Sequence, residues 1–133
     1  MDDIYVARVM SPDPFTVSPE TLVEDAAEAM LDRDIGSVLV TDEAGHLVGI
    51  LTTTDFVRIV AERRPKDRTP VSTYMTTDLV TATAQDPISE VADRLVERGI
   101  HHLPVVDPEE GLLGIVTTAD LAGYLSHVDS PGW

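Results

Sequence analysis

The sequence predicts a mixed α/β fold assembled from two copies of one small unit. The first observation is an internal repeat. Shifted by 65 positions, residues 6–62 fall on residues 71–127 without a gap, with 15 identities in 57 positions. Self-similarity at a fixed offset is the signature of a repeated structural unit. The second is a nine-residue phrase, Leu47-Val48-Gly49-Ile50-Leu51-Thr52-Thr53-Thr54-Asp55, which returns as Leu112-Leu113-Gly114-Ile115-Val116-Thr117-Thr118-Ala119-Asp120 with six identical positions. Each phrase is an apolar run that ends in Thr-x-x-Asp and enters a segment of helical periodicity. A buried strand delivering the chain to a helix N-terminus is the simplest reading. The third is the regular succession of helix-period segments and short apolar runs, separated by turn signals.

The elements follow in order. Residues 4–10 read as a short lead-in turn or helix, and Phe15-Thr16-Val17 as a brief extended segment. Thr21 opens a helix, with Glu24 completing a capping box. Leu22, Ala26, Ala29, Met30 and Arg33 keep helical spacing, and the segment stops near Asp34-Ile35-Gly36. Val38-Leu39-Val40 is a strand, Asp42-Glu43-Ala44-Gly45 a turn, and residues 47–51 the second strand of a hairpin. Thr52 or Thr53 starts a helix that runs to about Arg63. In the second copy, Tyr74-Met75 leads in and residues 79–83 are extended. Asp86 caps a helix with Pro87 at its first position, and Ile88, Val91, Ala92 and Leu95 form its apolar face. Residues 102–106 and 112–116 are the hairpin strands, and residues 117–127 the last helix.

These copies divide the chain into repeats at 1–65 and 66–133, with a linker over residues 63–70. Each copy alone is small for a core, so the two are expected to form one intimate module. The linker region with Arg58 holds five of the nine basic residues: Arg58, Arg63, Arg64, Lys66 and Arg68. It reads as a solvated linker, or else Arg63, Arg64 or Arg68 reaches a ligand phosphate.

Composition narrows the function classes. The chain has 133 residues, no cysteine, and no apolar stretch near the length of a membrane span, and Met1-Asp2-Asp3 lacks the basic start of a signal peptide. A cytoplasmic protein is the expectation. With 24 acidic against 9 basic residues, the formal net charge is −15. Such a surface repels nucleic acid and anionic membranes, so neither is an expected partner.

The repeats resemble a tandem pair of cystathionine-β-synthase (CBS) domains, the Bateman module. The residues that carry the resemblance are Val9-Met10 before Thr16-Val17, Gly99-Ile100-His101-His102-Leu103-Pro104-Val105-Val106-Asp107, and the two Gly-Ile-x-Thr-x-x-Asp runs. It covers residues 4–127. It implies two β-α-β-β-α units packed sheet to sheet with pseudo-twofold symmetry, and dimerisation into a flat disc. It also implies a noncatalytic, regulatory role. The implied ligand is an adenosine compound (AMP, ADP, ATP or S-adenosylmethionine) bound in clefts between the repeats, with no cofactor required and an unidentified effector protein as output.

The candidate site residues follow from both readings. Thr52-x-x-Asp55 and Thr117-x-x-Asp120 are capping boxes, and the same geometry suits an anion, because orphan N–H groups and the helix dipole favour negative charge. The resemblance implies that each Asp accepts hydrogen bonds from ribose hydroxyls and that Thr54 contacts phosphate or ribose; Ala119 stands in its place in the second copy. His101 and His102 are adjacent on a strand and point to opposite faces, so they cannot chelate one metal, and no metal site is expected. The resemblance directs His101 toward a ligand on the Asp120 side and His102 toward one on the Asp55 side; a charged His101 would add a pH-sensitive contact. It further implies that Thr16 and Val17, and Thr81 and Ala82, line adenine pockets on which Ile35 and Ile100 stack. The first expected site is therefore Thr52, Thr54, Asp55, Thr81, Ala82, Ile100 and His102. The second is Thr16, Val17, Ile35, His101, Thr117 and Asp120. His46 and His127 read as surface residues, and Met10 and Met75 as core or dimer-contact residues.

A ligand-sensing module is the leading reading. A structural dimerisation module with vestigial pockets is the alternative. An enzyme is disfavoured, because nothing in the pattern places a nucleophile beside a base. The acidity with a single lysine, Lys66, also resembles halophilic proteins, whose self-repulsion salt screens. Thermal stability is therefore expected to rise with molar salt; equal melting temperatures with and without it would contradict this.

Overall fold

The computed structural model describes residues 4–62 and 68–128. Its strands are β1 (Ser11–Pro12), β2 (Thr16–Val17), β3 (Ser37–Thr41), β4 (Leu47–Thr52), β5 (His102–Asp107) and β6 (Gly111–Thr117). Its helices are α1 (Val23–Arg33), α2 (Thr53–Ala61), α3 (Ile88–Arg98) and α4 (Thr118–Val128), and single 3-10 turns cover Val6–Arg8 and Val71–Thr73. The predicted mixed α/β class and its repeated element order are therefore present.

The compact units do not coincide with the sequence repeats. One unit is residues 15–79, and the other is residues 1–14 together with 80–133. The division at 1–65 and 66–133 describes the sequence period. Each compact unit takes its lead-in from the opposite repeat.

Hydrogen bonds explain the exchange. In the unit of residues 15–79, β2 runs parallel to β3, which forms the predicted hairpin with β4. Thr76 then pairs with Ile50 on the free edge of β4, with bonds of 3.1 and 2.9 Å in the two directions. In the other unit, β1 pairs antiparallel with β6, which is in turn hairpinned to β5, and Ala82 bridges Val105 in parallel. The lead-in thus covers an otherwise open sheet edge in both units.

The lead-ins also finish the helices. Val23 at the start of α1 donates its N–H to Thr69 O at 2.8 Å, and Val71 returns a bond to Thr21 O at 2.7 Å. The equivalent residues do the same in the other unit: Ile88 N–H to Ile4 O at 2.8 Å and Val6 N–H to Asp86 O at 2.9 Å. These bonds satisfy backbone groups that a helix start leaves unpaired. They also correct two expectations. Thr21 does not cap α1, which begins at Val23 after Leu22 with no side-chain cap; its hydroxyl serves a turn with Ser18. Asp86 does not cap α3, which begins at Ile88 after Pro87; its carboxylate accepts from Thr83 and Arg94 instead. A backbone carbonyl from the opposite repeat has taken the place of the side chain in both cases.

Each unit has its own core. Val23, Ala26 and Met30 of α1 pack with Val38, Val40, Leu51, Ile59 and Val71. Val91 and Leu95 of α3 pack with Val6, Ala82, Leu103, Val105 and Val116. Burying a Leu or Val side chain contributes roughly 1.5–3 kcal/mol, so Val6 and Val71 bind the lead-ins as firmly as their hydrogen bonds do. Both first helices end in a left-handed residue, Asp34 (φ 54°) and Gly99 (φ 64°), where glycine is the less strained choice.

Met10 and Met75 are half-buried packing residues of this lead-in contact. Met75 lies over Gly49 of β4, and Met10 over Gly114 of β6. The three atoms nearest to a side chain on Gly49 all belong to the Met75 side chain, which can shift. One on Gly114 would sit 2.6 Å from the Ser11 carbonyl oxygen, which is backbone and cannot swing away. Gly114→Ala is therefore expected to destabilise by about 2–3 kcal/mol and Gly49→Ala by about 1 kcal/mol. Denaturant titration of the two variants measures this; equal losses would contradict the account.

Candidate functional site

The repeated phrase forms one strand-to-helix junction in each unit. Thr52 ends β4 in an extended conformation (φ −120°, ψ 171°) and is the N-cap of α2. Its N–H donates to Asp55 Oδ2 at 2.8 Å, closing a capping box. The next amide, Thr53 N–H, donates to Gly36 O at 3.1 Å, and the Thr53 hydroxyl to the same oxygen at 3.2 Å. The hairpin register sets Ser37 opposite Thr52, which brings Gly36 to the helix start.

The second junction repeats this geometry. Thr117 N–H donates to Asp120 Oδ2 at 3.0 Å, and Asp120 N–H returns a bond to Thr117 Oγ1 at 3.0 Å. Thr118 N–H donates to His101 O at 3.1 Å. His102 stands opposite Thr117. Both Thr-x-x-Asp motifs are thus capping boxes that present a carboxylate beside a helix N-terminus, where the dipole favours negative charge.

The junctions differ in charge. Arg58 lies one turn along α2 from Asp55, and its Nη1 is 3.2 Å from Asp55 Oδ1. Asp55 is buried, with 8 % of its surface exposed. The position equivalent to Arg58 is Gly123 on α4. Among the described residues no cation pairs with Asp120, which is half-buried and uses only Oδ2. His102 is close enough to interact electrostatically with Asp120. Burial, reinforced by neighbouring His101 and opposed by Asp120, holds His102 below the usual histidine range, so it is neutral at pH 7. Its Nδ1 is buried without a hydrogen-bond partner.

The remaining expected residues are distributed as follows. Thr16, Val17, Ile35, Thr52, Thr54 and Asp55 lie in the unit of residues 15–79. Thr81, Ala82, Ile100, His101, His102, Thr117 and Asp120 lie in the other. The grouping expected from the resemblance takes members from both. Within units, Thr16 and Val17 line an open cleft of about 620 Å³ with Glu20, Asp42 and Glu43. Ile35 lines a separate apolar cleft of about 270 Å³ with Met30, Leu31, Thr53 and Phe56. Ala82 is buried, bonded to Pro104 O and Val106 N, and Ile100 packs on the core of its unit. His101 is exposed and precedes β5, and His102, the first residue of that strand, is half-buried, so the two are not adjacent strand residues as expected. His46 is exposed and donates its backbone N–H to Asp42. Arg68 is exposed. Arg63 and Arg64 lie outside the described residues, as does the side chain of His127.

Two residues escaped the sequence reading as site elements. Arg58 carried a local signal, since residues three apart on a helix are neighbours and Asp55 is three residues before it. Arg94 carried none. Its Nη1 donates to Thr81 O at 2.9 Å and to Asp86 at 3.3 Å, contacts fixed by the tertiary fold. Among the described residues, no three His, Asp or Glu side chains converge as metal ligands, and no helix is long and apolar enough to cross a membrane.

Comparison with known proteins identifies the family and the fold. Residues 6–62 and 71–127 each match the family described as the CBS domain. The CBS domain-containing protein YhcV of Bacillus subtilis is 32 % identical over 127 residues, covering 96 % of this chain and 89 % of that one. The L-aspartate semialdehyde sulfurtransferase of Methanocaldococcus jannaschii is 29 % identical over 117 residues, but the chain spans only 22 % of its length. Among solved structures, the CBS domain pair of protein MJ0100, in complex with 5′-methylthioadenosine and S-adenosylmethionine, is 27 % identical. It superposes with a TM-score of 0.86, covering 96 % of this chain and 99 % of that one.

Proposed function

The chain belongs to the CBS domain family, and on that premise we propose that it is a regulatory module that senses an adenosine-containing ligand. The CBS pair is a regulatory fold rather than a catalytic one, and the likeness to the sulfurtransferase is confined to a fifth of that enzyme. The observation that carries the reading is the pair of strand-to-helix junctions, each with a carboxylate fixed at a helix N-terminus. A carboxylate accepts from two vicinal hydroxyls, and the helix amides attract the negative charge of a phosphate. In this reading Asp55 and Asp120 hold ribose hydroxyls, and Thr54 assists at the first junction. Thr16, Val17, Ile35, Thr81, Ala82 and Ile100 supply the base-binding surfaces, and His101 and His102 flank the remainder of the ligand. The ligand class is AMP, ADP, ATP or S-adenosylmethionine. Backbone dipoles explain how a chain of formal net charge −15 holds an anion without a basic surface.

The chain works in the cytoplasm as a homodimer whose shape changes with ligand, because only differential affinity for two shapes makes a switch. Its target is another protein. The exposed apolar side chains Leu31, Val57, Val60, Val96 and Leu125 support the dimer. The same observation favours the second reading, a structural dimerisation module.

Thermal denaturation in high salt with AMP, ADP, ATP, NAD and S-adenosylmethionine separates the two. A ligand at a hundredfold excess over its Kd stabilises by about 2.7 kcal/mol, so at least one is expected to raise the melting temperature by several degrees. Asp55→Ala and Asp120→Ala should each reduce that ligand-induced rise. No rise with any of the five at millimolar concentration would leave only the dimerisation module.

A further inference from the structure

Among the described residues, one buried side-chain polar atom lacks a hydrogen-bond partner: Nδ1 of His102. His102 opens β5 and is registered opposite Thr117, the residue before α4. Thr117 and Asp120 exchange two bonds of 3.0 Å across the first turn of that helix. The carbonyl of His101 accepts the Thr118 N–H at 3.1 Å. The two histidines therefore pin the start of α4. The titratable groups that face the His102 ring are Asp120, from α4, and His101, from the bend before β5; β6 contributes uncharged Thr117.

A neutral imidazole donates from one nitrogen only, so with its proton on Nε2 the ring buries no unpaired N–H. A second proton changes this. It makes Nδ1 a buried donor without an acceptor and places a charge where water is scarce. The charge also arrives at the N-terminal end of α4, where the helix dipole is already positive. Asp120 attracts it, but Asp120 Oδ2 holds the Thr117 amide, so a carboxylate that turns to the ring leaves the cap. From these contacts we infer that the start of α4 is an acid-sensitive latch, closed while His102 is neutral and loosened when the ring takes up a proton. Burial and His101, opposed by Asp120, hold the ring below the usual histidine range. The closed junction thus binds fewer protons than the open one. Its stability is complete above the ordinary histidine pKa of about 6.5 and falls as pH drops below that value. The first repeat lacks the device. Gly36 and Ser37 stand at the equivalent positions, with the same register opposite Thr52 and the same bond from Thr53 N–H to Gly36 O. Neither residue titrates. The latch requires no ligand and stands whether or not the chain is a sensor.

Amide hydrogen exchange on the full, ligand-free chain tests it, read by nuclear magnetic resonance between about pH 7.5 and about pH 5.5 and corrected for intrinsic rates. Carboxylates ordinarily titrate below this range. The amides of Thr117 and Thr118 are expected to lose protection severalfold, up to about tenfold for one proton taken up per pH unit below 6.5. The amides of Thr52 and Thr53 serve as the internal reference and should hold theirs. His102→Ser, which installs the residue of the first repeat, should abolish the loss. Equal changes at the two junctions, no change at either, or a loss that persists in His102→Ser overturns the latch. The imidazole titration of the unmodified chain decides the matter even where the variant fails to fold: a midpoint for His102 below about 6.5 is expected, and one at or above it overturns the inference.

Discussion

The structure depends on a reciprocal backbone exchange. The start of α1 is completed by Thr69 O, and the start of α3 by Ile4 O. Neither helix has a side-chain cap of its own. An uncapped helix start leaves amide groups unpaired, and each such group buried without a partner costs about 1–3 kcal/mol. The same two segments cover the open hairpin edges, through Ser11 on β6 and Thr76 on β4, and drive Val6 and Val71 into the two cores. One short stretch of each repeat therefore supplies a cap, an edge and a core residue to the unit built on the other repeat. A compact unit of this size is marginal on its own core. The exchange makes each unit depend on residues from both halves of the sequence.

The candidate sites stand on the opposite end of each hairpin logic. Each repeated phrase keeps its apolar part in a strand and its Thr-x-x-Asp at a helix start, so one set of residues folds the junction and presents its carboxylate. Asp55 and Asp120 each use Oδ2 for the cap, and Oδ1 of Asp55 also accepts from Arg58, so capping leaves each carboxylate with further lone pairs. The two junctions differ in charge outside the phrase, where Arg58 pairs with Asp55 and the equivalent position on α4 is Gly123.

What could be read from the sequence was local. The hairpins, the two capping boxes and the end of α1 near Asp34 all follow from residues within a few positions of one another. Thr21 and Asp86 misled for a physical reason. Both have the right chemistry for a cap, yet a backbone carbonyl that meets the helix start through the tertiary fold left their side chains to nearby turns. Thr69 lies 46 residues after Val23 in the chain, and Ile4 lies 84 before Ile88, so no local pattern could announce them. Arg94 belongs to the same class, since its partner Thr81 O lies 13 residues earlier, before α3 begins. Arg58 was legible in principle, because its spacing from Asp55 is a helical neighbour relation. The pairing of Met10 with Gly114 and of Met75 with Gly49 could not be read from composition, although all four residues lie in the matched positions of the repeat.

The reciprocal exchange is open to one direct measurement. The chain can be expressed as two fragments, residues 1–65 and 66–133, and far-ultraviolet circular dichroism recorded on each and on their equimolar mixture. Each fragment lacks the segment that its own hairpin needs and holds the one the other needs. The spectrum of the mixture is predicted to show more helix than the sum of the separate spectra, with a cooperative melt that neither fragment has alone. A mixture that equals the sum, with either fragment melting cooperatively by itself as a monomer, would contradict the account.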